Sequence, residues 1–137
     1  MSSVVLDASA VLAFVLKERG SDVVRSRMNG GIMSAVNYSE VLKKSIEYGG
    51  SAAVTRCLLD RAQVKVIPFD ESQAVETAAL FPVTRHQGLS FADRVCLALA
   101  ARLKTSLYTA DHRVAESGVD VKIVMIRRPT TAKSKAT

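Results

Sequence analysis

The chain of 137 residues has no tryptophan, few other aromatic residues and only two cysteines. Hydrophobic residues make up 48% and aromatic residues 5%, so the core has to be built mainly from Val, Leu, Ile and Ala. Cys57 and Cys96 are far apart in apolar, helix-like segments, and their spacing is that of neither a disulfide framework nor a metal site. We expect both to be buried free thiols in a reducing cytoplasm.

Long apolar runs are also missing. The longest, such as residues 11–16, are well short of the roughly 18 residues that a membrane span requires. No basic region precedes an apolar run near the amino terminus. We therefore expect a soluble, cytoplasmic protein with no membrane partner. The two histidines, His86 and His112, lack the neighbouring group that a metal-free ribonuclease needs.

Positive charge is in excess. Lys and Arg number 19 against 13 Asp and Glu, which gives a formal net charge of +6 and an isoelectric point near 9.6. This balance points weakly to a polyanionic partner such as nucleic acid. Residues 1–126 have the size of one domain. Residues 127–137 carry four cations without apolar periodicity, and we predict a disordered tail that is either an RNA-binding arm or a solubilising terminus.

Short apolar runs alternate with helical patterns along the chain. The runs predict strands at residues 4–6, 32–36, 64–67, 106–109 and 121–126. Residues 89–103 are apolar nearly all round, which predicts a buried helix, and residues 81–88 are predicted to be a connector. The four phenylalanines, Phe14, Phe69, Phe81 and Phe91, are assigned to the core. Strands that alternate with helices imply a mainly parallel sheet covered on both faces, hence an α/β fold.

Four acids follow the predicted strands, where open parallel sheets bind ligands. Asp7 ends the first strand, Glu40 is in the first turn of the next helix, Asp93 begins the buried helix, and Asp111 follows the fourth strand. Two carboxylates about 4 Å apart repel by about 1 kcal/mol in water and about 4 kcal/mol at an intermediate dielectric constant. If the four acids converge, they therefore need cations.

Mg²⁺ suits such a site because it takes a few carboxylates, keeps several waters and accepts a substrate phosphate. One or two ions would lower the pKa of a water molecule, orient the phosphate and neutralise charge in the transition state. The site would then hydrolyse phosphoesters. The hydroxyls of Ser9 and Thr109, each two positions from an acid, would hydrogen-bond to the ligands, to water or to phosphate.

Helix capping is the alternative interpretation of each acid. Asn37 with Glu40, and Ser90 with Asp93, have the spacing of capping boxes. Asp7 and Asp111 are also typical residues of helix starts. For Glu40 or Asp93 alone, capping is favoured. The occurrence of four strand-end acids together favours a site.

Four segments that contain these acids, LDASAVLAFVLKE, NYSE, GLSFADRVCLALA and LYTAD, resemble the successive motifs of the PIN-domain nucleases. The similarity is closest to the VapC-type ribonuclease toxins of bacterial toxin–antitoxin pairs, and it spans residues 3 to about 126. It implies a three-layer α/β/α sandwich with a mainly parallel sheet, an acidic pocket that binds Mg²⁺ or Mn²⁺, and cleavage of RNA phosphodiester bonds. Val114 departs from the pattern, since relatives often have an aromatic residue soon after the fourth acid.

The resemblance also implies roles for the residues. Asp7, Glu40, Asp93 and Asp111 match the family's four acids in order; we expect Asp7 and Asp93 to bind metal directly, and Glu40 and Asp111 to complete the site directly or through water. A small antitoxin and a homodimer are the implied protein partners. Five cations near the motifs are candidate phosphate contacts, although solvated surface charge is the commoner alternative: Lys43, Lys44, Arg85, Arg94 and Arg113.

Two other functions are compatible with the sequence. The first is a PIN-type nuclease that processes other RNA or cuts DNA rather than acting as a toxin. The second is a receiver-like signalling module with a phosphoacceptor Asp at the third strand. Asp70, beyond Pro68 and Phe69, is the nearest candidate for that acceptor.

Overall fold

The computed structural model describes residues 3–129, which contain five strands and eight α-helices. The strands are β1 (Val5–Leu6), β2 (Ile32–Ser34), β3 (Lys65–Ile67), β4 (Leu107–Thr109) and β5 (Ile123–Met125). The helices are α1 (Ala8–Val15), α2 (Ser21–Met28), α3 (Ala35–Glu47), α4 (Ala52–Arg61), α5 (Glu71–Ala79), α6 (Phe81–Thr84), α7 (Phe91–Leu103) and α8 (His112–Ala115). A 3₁₀ helix at Arg85–Gln87 links α6 to the loop before α7.

All five strands are parallel and form one sheet in the order β3-β2-β1-β4-β5. The chain moves from β1 outward to β3 and then returns to the other side of β1 with β4. A reversal of this kind opens a crevice at the carboxyl ends of the two strands where it occurs. The predicted α/β fold with a parallel central sheet is confirmed, and the crevice lies between β1 and β4.

The alternation of side chains along β1 divides the core in two. Leu6 faces the side covered by the first helices, where it packs in a cluster with Val11 and Val41. Val5 faces the opposite side and packs in a second cluster with Leu97 and Leu107. Successive side chains of a strand point to opposite faces of the sheet, so one short strand anchors both helical layers.

Helix α7 is buried as predicted. Its start is fixed by Ser90, whose hydroxyl accepts the amide hydrogen of Asp93, and seven of its residues have little or no solvent exposure. They are Ala92, Val95, Cys96, Leu97, Ala98, Leu99 and Ala100. Because both the sheet and α5 pack against α7, the helix holds Asp93 at a fixed place near the strand ends.

Several predictions about packing were wrong. Phe81 and Phe91 are each 50% exposed rather than in the core, and Cys57 is exposed, while Cys96 is buried as expected. Residues 81–88 are not a plain connector, because they contain α6 and the 3₁₀ helix. No helix among the described residues has the length and apolarity needed to cross a membrane.

The chain after β5 starts against the α1–α2 turn. Arg127 donates a hydrogen bond to the carbonyl oxygen of Arg19 at 2.8 Å and lies 3.4 Å from a carboxylate oxygen of Glu18. Gly20 permits this approach, since a Cβ there would be 2.6 Å from the carbonyl oxygen of Ile126. Residues 1–2 of the predicted domain and 130–137 of the predicted tail lie outside the described residues.

Candidate active site

Four acids line one cavity of about 200 Å³ at the carboxyl edge of the sheet, which we call the acidic cavity. Its lining consists of Asp7, Ala8, Ser9, Leu12, Asn37, Glu40, Lys44, Asp93 and Asp111. The acids come from four separate segments: the end of β1, helix α3, the start of α7 and the loop after β4. The sheet topology brings these segments together, because all five strands end at the same edge.

Asp7 is the most buried of the acids, with 4% of its surface exposed. Its Oδ1 accepts hydrogen bonds from the Ser9 hydroxyl at 2.7 Å and from the Ala10 amide at 2.9 Å. Burial raises the pKa of Asp7 from 3.8 to about 6, against the lowering effect of hydrogen bonds from Thr109, Ala10 and Ser9, and the nearby charge of Asp93 raises it further. Asp7 therefore caps α1, and burial makes the ionised form of its carboxylate unfavourable.

The hydroxyls of Ser9 and Thr109 connect the ends of β1 and β4. Ser9 Oγ accepts the amide hydrogen of Ala110 at 2.9 Å and lies 3.3 Å from Thr109 Oγ1. Thr109 Oγ1 in turn accepts the amide hydrogen of Asp111 at 3.0 Å. This chain of hydrogen bonds fixes the position of Asp7 relative to Asp111.

Asp111 is held by an arginine two residues further on. Its Oδ1 accepts hydrogen bonds from the amide and Nε of Arg113, at 2.9 and 3.2 Å, and its Oδ2 lies 2.9 Å from Nη2. Arg113 Nη1 also donates to the Gly88 carbonyl oxygen at 3.2 Å. Partial burial acts to raise the pKa of Asp111, but the hydrogen bonds and charge of Arg113 lower it below its ordinary value.

Asp93 both caps α7 and lines the cavity. Its Oδ2 accepts the amide hydrogen of Ser90 at 2.9 Å, which completes the predicted capping box. One turn along, the buried thiol of Cys96 donates to the carbonyl oxygen of Asp93 at 3.2 Å. Burial, followed by the charges of Asp7, Asp93 and Glu40, raises the pKa of Cys96 well above its ordinary value. The thiol therefore stays protonated at neutral pH.

Glu40 is positioned differently from the prediction. Ser34 caps α3, so the capping box predicted for Asn37 and Glu40 does not form, and Glu40 is in the second turn rather than the first. Its carboxylate oxygen lies 3.4 Å from Asn37 Nδ2. Burial and then the charge of Asp93 raise the pKa of Glu40, while Asn37, Lys44 and Lys43 lower it.

Asn37 is a site residue that the sequence interpretation missed. It is 1% exposed, and its Nδ2 also donates to the carbonyl oxygen of Ala92 at 3.2 Å, which ties α3 to α7. Among residues 3–129, its Oδ1 is buried without a hydrogen-bond partner. The available signal was the helical spacing of Asn37, Val41 and Ser45, the buried residues of α3, because a polar residue on a buried face needs a partner.

Two of the five candidate phosphate contacts are at the acidic cavity. Lys44 lines it, and Arg113 forms an ion pair with Asp111, which also lines it. The other three neither line the cavity nor pair with an acid that does. Lys43 pairs with Glu47 at 2.7 Å, and Arg85 lies 3.4 Å from His86. Arg94 donates to the Leu89 carbonyl oxygen and lies over the Phe81 ring, so its role in this structure is packing.

The chemistry of the lining fits a hard divalent cation. Its side chains offer carboxylate, amide and hydroxyl oxygens beside the one ammonium group of Lys44, and Asn37 Oδ1 is buried without a hydrogen-bond donor among residues 3–129. Within the described part of the chain, no three His, Cys, Asp or Glu side chains are arranged to hold an ion by themselves. The acids instead accept hydrogen bonds from protein groups. Mg²⁺ typically binds one or two carboxylates and keeps several waters, so the donor set suits a hydrated ion.

Comparison with known proteins identifies one family and several similar structures. The family model of the PIN domain matches residues 4–118. A toxin–antitoxin complex from Klebsiella pneumoniae has 18% identity and a TM-score of 0.75, over 93% of this chain and 100% of that chain. VapC20 of Mycobacterium tuberculosis, described as a Sarcin-Ricin loop cleaving toxin, has 14% identity and a TM-score of 0.72 over the same shares. DNA-bound VapBC from Salmonella typhimurium has 14% identity and a TM-score of 0.67, again over 93% and 100%. No curated protein sequence matches the chain.

Proposed function

The chain belongs to the PIN-domain family, and from this premise we propose that it is a divalent-cation-dependent endoribonuclease and the toxin of a toxin–antitoxin pair. One observation carries the proposal: four acids from separate segments meet in a single cavity where the strand order reverses. Capping alone explains an acid at each helix start. It does not explain why Glu40, which caps no helix, faces the same cavity.

We assign metal binding to Asp7 and Asp93 directly, with Glu40 and Asp111 completing the site directly or through water. When bound, a Mg²⁺ or Mn²⁺ ion supplies Lewis-acid activation of water and charge neutralisation at the phosphate. Ser9 and Thr109 fix the orientation of Asp7, and Asn37 orients Glu40. These contacts hold the carboxylates in place, which is the protein's part in organising such a site.

Phosphate recognition is assigned to the cations at the rim. Lys44 lines the cavity, and Arg113, about half exposed, lies beside Asp111. A body with a net charge of +6 attracts a polyanion, and these two side chains stand where the backbone of that polyanion would approach the acids. Lys43, Arg85 and Arg94 are not assigned this role, since none of them lines the cavity or pairs with an acid that does.

RNA as substrate and a small antitoxin as partner rest on the resemblance of the motifs and on the descriptions of the structural neighbours. Two of these neighbours are a toxin–antitoxin complex and a VapBC complex, and the M. tuberculosis neighbour is described as a Sarcin-Ricin loop cleaving toxin. The homodimer and the cytoplasmic location belong to the same proposal. The receiver-like alternative has lost support, because Asp70 caps α5 through its contacts with Ser72 and Gln73 and does not line the acidic cavity.

Cleavage assays test the enzymatic part. The purified protein should cut RNA in Mg²⁺ or Mn²⁺, stop when a chelator is added, and resume when metal is restored. Asp60→Asn is a matched control, since Asp60 is an exposed acid on α4 away from the cavity, and this variant should cleave normally. Cleavage that continues unchanged in chelator would contradict the proposal.

Expression in a bacterial host tests the toxin role separately. The wild-type chain should arrest growth, and co-expression of a short open reading frame from the adjacent genomic position should relieve the arrest. If the protein cleaves RNA in vitro but its expression leaves growth unaffected, the nuclease assignment stands and the toxin assignment is wrong.

A further inference from the structure

A second depression adjoins the acidic cavity. It has a volume of about 500 Å³, lies between the first two turns of α3 and the start of α7, and is called here the Phe91 groove. Its lining is Val36, Ser39, Glu40, Ser90, Phe91 and Ala92. Glu40 borders both this groove and the acidic cavity, so the two depressions are adjacent.

Phe91 is the unusual member of this lining. It is the first residue of α7, two positions before Asp93, and half of its surface is exposed. Its ring meets the Phe69 ring edge to face, with 5.7 Å between the centroids and an interplanar angle of 90°. Such a contact holds the ring in one orientation, and an exposed aromatic ring held beside a polar site offers a stacking surface.

From this arrangement we propose that the Phe91 groove is a nucleobase subsite, in which a base next to the scissile phosphate stacks on Phe91. The inference rests on the proposed RNA-cleaving function and deepens it. Stacking requires only the face of a base, so an aromatic side chain can hold single-stranded RNA with little dependence on sequence.

The polarity of the groove favours a base over an apolar peptide segment. Ser39 and Ser90 contribute hydroxyls, and Glu40 contributes a carboxylate, so half of the lining residues are able to hydrogen-bond to the edge of a base. Lys44 follows Glu40 by about one helical turn and lines the adjoining acidic cavity, so it places positive charge where the next backbone phosphate would lie. An apolar peptide segment would leave these polar groups without equivalent partners.

Fluorescence of 2-aminopurine tests the subsite. The probe is a set of short single-stranded RNAs with 2-aminopurine at each position in turn, and a chelator present during the titration keeps the RNA uncleaved. The wild-type protein should quench one position strongly. Phe91→Ala and Phe91→Leu should lose that quenching and weaken binding by about five- to a hundredfold, as expected for loss of one stacked base, whereas Phe91→Trp should retain both.

Phe81→Ala is the matched control, because Phe81 is equally exposed at 50% and lies over Arg94 outside the groove. It should bind the probe like the wild type. Cleavable RNA should report the same contrast as a raised KM for Phe91→Ala. Thermal unfolding of each variant identifies any loss of fold, and Phe91→Leu keeps apolar contact with Phe69 if Phe91→Ala is unstable.

The outcomes separate the two proposals. If wild-type protein cleaves RNA but Phe91→Leu binds and quenches like wild type, the subsite is refuted and the nuclease assignment stands; a groove that instead takes a protein segment gives this result. Equal losses in Phe81→Ala and Phe91→Ala also refute it. If the wild type cleaves no RNA in any divalent metal, the proposed function itself fails.

Discussion

Asp7 and Asp111 face the same cavity, but their surroundings shift their pKa values in opposite directions. Asp7 is buried, its hydrogen-bond donors among residues 3–129 are neutral groups, and its pKa is raised to about 6. Asp111 is held by Arg113, whose hydrogen bonds and charge lower its pKa despite partial burial. At the end of β1, the negative charge of Asp7 is not balanced by a nearby cationic side chain among the described residues, so a bound metal ion would stabilise it. At the end of β4, Arg113 already balances the charge of Asp111.

Loss of the Asp7 carboxylate should have the largest effect. Asp7→Asn should lower the rate of metal-dependent RNA cleavage by about a hundred- to a thousandfold, the range seen when a group that stabilises transition-state charge is removed. Asp111→Asn should cost less, because Arg113 already neutralises that acid. Single-turnover cleavage at saturating Mn²⁺ measures both. If Asp7→Asn and Asp111→Asn lower the cleavage rate equally, the two acids do not differ in the way described here.

The pH dependence of stability should differ in sign between the two acids. The folded protein holds the proton of Asp7 more tightly than the unfolded chain does, so raising the pH from 3.8 to about 6 should lower the free energy of unfolding by up to roughly 3 kcal/mol. Asp7→Asn should remove this decline. For Asp111, whose pKa is lowered, stability is present above the ordinary pKa and is lost as the pH falls through the lower folded value.

Urea denaturation of the metal-free wild type, Asp7→Asn and Asp111→Asn across this pH range measures the two contributions. The difference between Asp7→Asn and wild type should grow as the pH rises toward 6 and then level off. A difference that is constant with pH would mean that Asp7 titrates normally.

The Asp111–Arg113 pair should produce the smallest effect. Arg113→Gln leaves Asp111 uncompensated, so we expect Mn²⁺ affinity to increase by at most about fivefold and unfolding stability to decrease by less than about 1 kcal/mol, as is typical of exposed ion pairs. Lys43→Gln is the matched control, because it breaks the exposed pair with Glu47 away from the cavity. Calorimetric titration with Mn²⁺ measures the affinities, and a decrease for Arg113→Gln would mean that Arg113 supports metal binding instead.

The sequence predicted the parts of this site that depend on chain order. Alternating strand and helix patterns require a parallel sheet, and a parallel sheet brings Asp7 and Asp111 to one edge. The continuous apolar pattern of α7 predicted that this helix is buried against the sheet. Asp93, in its first turn, is therefore placed near the strand ends. These features can be predicted from hydrophobic periodicity and sheet topology alone.

The parts that were missed depend on side-chain geometry between segments. Asn37 contacts Ala92 across 55 residues, and no local pattern contains that contact. Phe91 was assigned to the core because aromatic residues usually are buried, but the first residue of a helix faces outward here. The pairing of Arg113 with Asp111 depends on the turn at Gly88, whose carbonyl oxygen orients the guanidinium group.

Titration of Mn²⁺ against the intact protein, followed by the electron paramagnetic resonance of the free ion, tests the central claim most directly. The wild type should bind Mn²⁺ at pH 7 and lose affinity by about tenfold per unit below pH 6, because the ion must displace the proton of Asp7. Asp7→Asn should bind little Mn²⁺ at either pH. If Asp7→Asn binds Mn²⁺ as tightly as the wild type, or if the wild type binds none, the acidic cavity is not a metal site built on Asp7.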